Sequence, residues 1–273
     1  MKLGVILGLD LDIRDAFKKL ADIDIHTCQL NCWDARYFTY EMAEQVREAS
    51  KEFDIEITAL WCGWSGPAVW DFYSGPATLG LVPSKYRGTR LKELKKGSDF
   101  AVEIGVDKMI THVGFIPEIP TSDEYIQLLP VLKGLAEYVK SNKQYFLFET
   151  GQETPVTLLR TIEEIGTGNL GINLDPANLI LYGKANPVDA LDVFGKYVMG
   201  VHGKDGDYPT DGKNLGEEKR IGDGKVNYPL FIQKLRAVGY DGAITIEREI
   251  HGEKQIEDIV YSKKYLEKLI KTI

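Results

Sequence analysis

A chain of 273 residues, 44% apolar and 27% charged, is long enough for one large domain with a filled core and ordinary for a soluble globular protein. Its 33 basic and 41 acidic residues leave a formal charge of −8, which argues against a nucleic-acid partner, because a phosphate backbone calls for a basic face. No apolar stretch approaches the ~20 residues of a membrane helix, so no membrane partner is expected. The opening run Met1 to Gly8 is too short for a signal peptide. Cys28, Cys32 and Cys62 cannot all pair and form no CxxC motif, so buried reduced thiols and a cytoplasmic location are expected.

Leu3 to Leu9 is the first strand candidate, and Ile13, Phe17 and Leu20 then recur at helical spacing over Ile13 to Ala21. Thr27 to Cys32 is the second strand. A charged amphipathic helix follows over Glu41 to Phe53, with Thr39 as its N-cap. Ile55 to Trp61 is the third strand. The next stretch, Cys62 to Gly88, is rich in Gly, Pro and aromatics without periodicity, the composition of a lid or binding loop. It holds Trp64, Trp70, Tyr73, Tyr86 and Arg87. A helix resumes over Arg90 to Ile104 and stops at Gly105. Lys108 to His112 is the fourth strand, and Ser122 or Asp123 caps a helix reaching about Lys140 in spite of Pro130 and Gly134.

Strands five to eight share one design. Tyr145 to Glu149 is an uncharged aromatic run, buried on both faces, that ends in a carboxylate. Gly171 to Asp175 ends in Asp175, Tyr197 to Gly203 carries His202 at its end, and Gly242 to Glu247 ends in Glu247. These four residues stand 26, 27 and 45 positions apart. The first two intervals are close to the ~30 residues of one βαβ repeat, and the third adds a loop insertion. Helices are expected over Pro155 to Ile165, Pro187 to Phe194, Tyr228 to Val238 and about Gln255 to Ile270. Eight strand–helix alternations with no linker predict a single (β/α)8 TIM barrel domain spanning residues 1–273. The alternative, a doubly wound open sheet, lacks its usual glycine-rich turn after the first strand.

The C-terminal face of such a barrel carries the active site. Three carboxylates converging there repel one another unless one is protonated or a cation binds. Glu149, Asp175, His202 and Glu247 are therefore a candidate site for one divalent metal ion. Three carboxylates and one imidazole make a hard, oxygen-rich set that favours Mn2+ or Mg2+, with Co2+, Fe2+ and Zn2+ as alternatives. For each residue taken alone, a hydrogen-bonded polar strand end is the competing explanation. Side-chain alternation puts Leu147 inward with Glu149, Phe146 and Phe148 toward the helices, Asn173 on the face of Asp175, and Lys204 on the face of His202.

Several segments carry a family resemblance. They are THVGFIPE at Thr111 to Glu118, LDPANL at Leu174 to Leu179, HGKD at His202 to Asp205, GDGKVN at Gly222 to Asn227, and GYDG at Gly239 to Gly242 leading into IERE at Ile246 to Glu249. Through them the chain resembles the xylose-isomerase-like superfamily of sugar isomerases and epimerases, which also holds ketose 3-epimerases, inosose-processing isomerases and metal-dependent AP endonucleases. The resemblance spans essentially the whole chain and specifies the superfamily, not the substrate. It implies Glu149, Asp175, His202 and Glu247 as metal ligands, with Glu149 and Glu247 doubling as the acid/base pair. The implied reaction is proton abstraction α to the carbonyl of a small sugar or polyol, or of a sugar phosphate, through a metal-stabilised enediolate. Return of the proton to the other face is epimerisation, return to the next carbon is isomerisation, and loss of the β-hydroxyl is dehydration. A lyase such as an inosose or dehydroshikimate dehydratase is thus the alternative. An AP-endonuclease-like nuclease is disfavoured: Asn178 stands where many relatives have His, and no Asp-x-His pair completes a three-metal cluster.

Around these lie residues with a choice of roles. The resemblance implies substrate contact for His112, with a hydrogen-bonded core histidine as the alternative. Lys204 holds a substrate oxygen or neutralises the carboxylates, or else pairs with Asp205 or a loop acid. Trp33 and Trp61 form an aromatic wall for a sugar's C–H face or plug the barrel mouth, and Asn178 is a further substrate-binding candidate. Arg248 and Glu249 are expected as a solvated ion pair. Lys204, Lys213, Lys219, Arg220 and the turn Gly222 to Gly224 lie where barrels bind phosphate, but Asp205, Asp207, Asp211, Glu217 and Glu218 match the basic residues, so no clear phosphate pocket follows. Association into a homo-oligomer is compatible with the sequence and not specified by it.

Overall fold

The computed structural model describes residues 1–273. Eight parallel strands form a closed barrel: β1 (Lys2–Gly8), β2 (Thr27–Cys32), β3 (Glu56–Cys62), β4 (Lys108–Thr111), β5 (Tyr145–Glu149), β6 (Leu170–Leu174), β7 (Val198–Gly203) and β8 (Ala243–Ile246). Each pairs with its neighbours in sequence, and β1 closes on β8 through Gly4 opposite Thr245. This is the (β/α)8 TIM barrel that the alternation of elements predicts. The ladder slips at two places only, between Cys28 and Gln29 against β3 and between Ile172 and Asn173 against β7.

Alternation along the strands divides the core in two. Phe146 and Phe148 face the helices within a cluster of 56 buried residues. Leu147 packs inside the barrel with Ala59, Trp61 and Ile110. Above and beside that small apolar plug the interior is polar, with Gln29, Asn173 and Thr245 all buried. Gln29 donates to Asn173 there, whereas the Thr245 hydroxyl has no hydrogen-bond partner.

The expected helix caps form, with Thr39 accepting from Met42 N at 3.2 Å and Ser122 from Tyr125 N at 3.3 Å. The helix Pro155–Ile165 runs as expected, closed by Gly166 in the left-handed region at φ 63°. The largest departure is the helix after β3, which runs over Ser84–Glu103 rather than from Arg90. Pro83 fixes its start, and Gly88 with a run of charged residues hides the period in the sequence. Tyr86 and Arg87 are consequently helical, and Arg87 donates to the carbonyls of Leu81 and Val82 at 2.8 Å each. They are not part of a lid. A short helix Pro176–Leu181 and a two-residue ribbon pairing Asp205–Gly206 with Glu218–Lys219 also went unforeseen, being too short to show periodicity.

The remaining loop, residues 63–83, is held from below by one side chain. Arg90 is buried without a carboxylate partner, and its guanidinium donates to the carbonyls of Ser65, Pro67, Thr78 and Gly80 at 2.6–3.2 Å. The five-donor planar fork of arginine suits four divergent acceptors, which a point-like ammonium cannot reach together. Arg90→Lys is therefore expected to strand buried carbonyls and cost about 2 kcal/mol, read as a lowered denaturation midpoint. Protease cleavage is expected to concentrate within residues 63–83. From this loop Phe72 N donates to Lys213 O at 2.8 Å, tying it to the loop after β7 across the barrel mouth.

Candidate active site

The four strand-end residues meet. Glu149 is the last residue of β5, and Asp175 follows β6 directly as N-cap of the helix Pro176–Leu181, its Oδ1 accepting from Asn178 N at 2.9 Å. His202 lies within β7. Glu247 follows β8, its backbone N–H bonded to Gly203 O at 3.0 Å. One ligand-type atom from each lies within 4.8 Å of all the others. His202 Nδ1 is 3.0 Å from Glu149 Oε1, 3.1 Å from Glu247 Oε2 and 3.7 Å from Asp175 Oδ2, yet it is aligned for a hydrogen bond with none of them. Asp175 Oδ2 is likewise buried and without a hydrogen-bond partner.

Lys204 is the counter-charge. Its Nζ lies 3.4 Å from Glu247 Oε2, 3.8 Å from Asp175 Oδ2 and 3.2 Å from Glu249 Oε1. Burial disfavours the ammonium, but Glu247 and Glu249 outweigh it and hold Lys204 well above its ordinary range. Burial also opposes charge on His202, and Glu149 with Glu247 overcomes it, so the ring's basicity is strongly raised. The two glutamates separate. Burial raises Glu149 to about 7, whereas Glu247, buried as well, is held below the usual carboxylate range by Lys204 and His202.

This donor set fits a divalent cation. Two oxygen or nitrogen ligands on opposite sides of such an ion stand about 4–4.5 Å apart, close to the widest separation here. Two of the four atoms, Asp175 Oδ2 and His202 Nδ1, are buried polar atoms that nothing in the protein satisfies, an arrangement that native folds otherwise avoid. The cluster can hold a metal ion; three carboxylates leave its identity among the hard divalent cations open.

The flanking candidates also collect at this mouth. His112 is buried with Nδ1 unpartnered, its ring 5.7 Å from that of Trp61 and 5.3 Å from that of Trp70, and burial depresses it to about 3. Trp33 lies 4.9 Å from both Trp61 and Trp64 and 6.1 Å from Trp70. The four indoles thus run from the barrel interior, at Trp61, to half-exposed edges at Trp33 and Trp70, whereas Tyr73 points to solvent. Asn178 is buried one turn above Asp175, and its side-chain amide makes no hydrogen bond within the protein.

Other expectations are corrected. Of the acids open to Lys204 it reaches the loop acid Glu249 and not Asp205, whose carboxylate instead accepts from the backbone N–H groups of Gly206, Gly222, Gly224 and Val226 and pins the 220–227 loop. Arg248 and Glu249 are not partners. Arg248 reaches Glu218 and Asp258, at 3.0 Å each, while Glu249 turns to Lys204. Lys219 pairs with Glu217, and Arg220 with Asp223.

The sequence assigns no role to three residues near the cluster, although alternation places Asn173 on the face of Asp175. Gln29 and Asn173 are buried inside the barrel and bonded to the cluster, and Glu153 is buried four residues past Glu149 with Oε1 unpartnered. The available signal was a lone amide at an inward position of an otherwise apolar strand.

Known proteins share this architecture. Residues 17–269 match the family described as Xylose isomerase-like TIM barrel. The crystal structure of a xylose isomerase domain protein from Planctomyces limnophilus is 34% identical with a TM-score of 0.94, covering 99% of this chain and 98% of that one. More distantly, 3-keto-D-glucoside 4-epimerase YcjR from E. coli is 18% identical with a TM-score of 0.72, covering 98% of this chain and 99% of that one. The probable 3-DHS dehydratase AsbF from Bacillus anthracis is also 18% identical, with a TM-score of 0.71 and the same coverage.

Proposed function

The chain belongs to the xylose isomerase-like TIM-barrel family, and from that premise we propose that it is a divalent-metal-dependent sugar isomerase or epimerase. The observation that carries this reading is the convergence of Glu149, Asp175, His202 and Glu247 from four separate strands, with Asp175 Oδ2 and His202 Nδ1 left without protein partners. A cation bound there supplies Lewis acidity to a substrate carbonyl and its neighbouring hydroxyl. Glu247, ionised and the most accessible of the four, is placed to take the α-proton as general base. Glu149, the second glutamate of the cluster, returns a proton as the paired acid. Lys204 holds the substrate oxygen that becomes anionic. His112, neutral because it is buried, and Asn178 bond to hydroxyls, and Trp61 with Trp33 covers the C–H face of the sugar.

The test is solvent exchange in D2O against a panel of ketoses, ketose phosphates and inososes. Deuterium is expected to enter the carbon next to the carbonyl, to stop with EDTA and to return with Mn2+ or Mg2+. Full turnover by metal-free protein sinks the reading. A product lighter by one water assigns the site to a dehydratase, the chemistry named for the Bacillus anthracis neighbour.

A further inference from the structure

Beneath the four carboxyl and imidazole groups, a chain of hydrogen bonds crosses the barrel. Glu149 Oε2 accepts from Asn173 Nδ2 at 2.5 Å, Asn173 Oδ1 accepts from Gln29 Nε2 at 3.1 Å, and Gln29 Oε1 lies 2.8 Å from His202 Nε2. All four side chains are buried. We propose that Gln29 and Asn173 form a polarised relay that fixes the tautomer of His202 and couples it to the orientation of Glu149, so that both are positioning residues for the metal site. The inference rests on the metal reading above.

The direction of every bond follows from one end. Asn173 turns its NH2 to Glu149 Oε2, so its carbonyl is what faces Gln29 Nε2. Gln29 must then donate through its own NH2, which leaves its carbonyl facing His202. Nε2 must therefore carry a proton, and in a singly protonated ring Nδ1 is bare. Nδ1 is the atom that faces the three carboxylates. A relay of this kind selects the ligating nitrogen before a cation arrives, the role that outer partners of a metal-bound histidine perform.

The backbone is shaped to the relay. The only two slips in the barrel ladder fall at Gln29 and at Asn173, where Thr58 and Met199 stand as the extra residues on the partner strands. Bulges beside active sites re-aim side chains in this way. Gly200 faces Asn173, and a Cβ there would come within 2.2 Å of Asn173 Oδ1.

Nitrogen-15 NMR of the Zn2+-loaded protein, with calorimetry of Zn2+ binding, tests this directly. Zn2+ is diamagnetic, and the chain has four histidines to assign. Wild type is expected to show a hydrogen-bonded proton on His202 Nε2 and none on Nδ1. Gln29→Met is expected to lose that downfield proton and to bind Zn2+ about 10–100-fold more weakly. Asn173→Leu makes no hydrogen bond to His202, yet it is expected to disturb the same resonance by freeing Gln29 to flip. A structural role in filling the barrel would not move this tautomer signal. Unchanged affinity and an unchanged His202 spectrum in both variants overturn the relay while leaving the metal site standing. Should the variants fail to fold, wild type decides alone, because a proton on Nδ1 of the loaded protein overturns the proposal. Wild type that binds no cation refutes the metal reading instead. The relay then stands or falls on whether the Nε2 proton of the metal-free protein disappears in Gln29→Met.

Discussion

Glu247→Gln is expected to lower α-proton exchange by about 10^2–10^4-fold, the usual contribution of a positioned general base, while thermal unfolding stays within about 5 °C of wild type. The separation of the two effects follows from the geometry. Gln keeps the size of the side chain but cannot accept a proton at neutral pH, and it is a poor ligand for a hard cation. The surrounding charges survive the change. Lys204 retains Glu249 at 3.2 Å and Asp175 at 3.8 Å, and His202 retains Glu149 at 3.0 Å. Deuterium incorporation, far-ultraviolet circular dichroism and a melting curve on the same preparation check both halves. Exchange within tenfold of wild type would remove Glu247 from the chemistry.

Glu153 governs a second large effect, on stability rather than turnover. It is buried with one carboxyl oxygen unpartnered, and burial raises it to about 8, only partly offset by its own and neighbouring backbone N–H groups and by Lys184. Below its unfolded value of 4.5 the group is protonated in both states and costs nothing. Between 4.5 and about 8 the unfolded chain releases the proton while the folded one keeps it, so stability falls as pH rises. Above about 8 the loss is complete. Glu153→Gln removes the titration. Its stability relative to wild type is therefore expected to climb by about 1.4 kcal/mol per pH unit across that window, reaching a few kcal/mol. Denaturation midpoints of both proteins from pH 4.5 to 9 measure it. A difference that does not vary with pH would show that the carboxyl is already ionised in the fold.

The two variants also bear on how the site is built. Glu247 and Glu149 lie at ends of uncharged strands, where a carboxylate is conspicuous in the sequence. Glu153, Gln29 and Asn173 are buried too, but two are neutral amides and the third sits in a loop. Alternation put Asn173 inward, but which groups Asn173 and Gln29 reach follows from barrel closure and from where the ladder slips. The same holds for Arg90, legible only as one more charged residue on a helix until four carbonyls of the 63–83 loop gather around it.

By itself the chain order of apolar runs and helical stripes determined the barrel, because strand and helix periods are local properties written in every few residues. It determined as well that Glu149, Asp175, His202 and Glu247 end strands on one rim, since a parallel barrel puts all such ends on the same side. Only the tertiary structure decided that their atoms close to within 4.8 Å, that Lys204 turns to Glu247 and Glu249 rather than to Asp205, and that Gln29 reaches a histidine 173 residues away. Those outcomes depend on barrel closure and ladder register, which bring together residues that nothing along the chain relates.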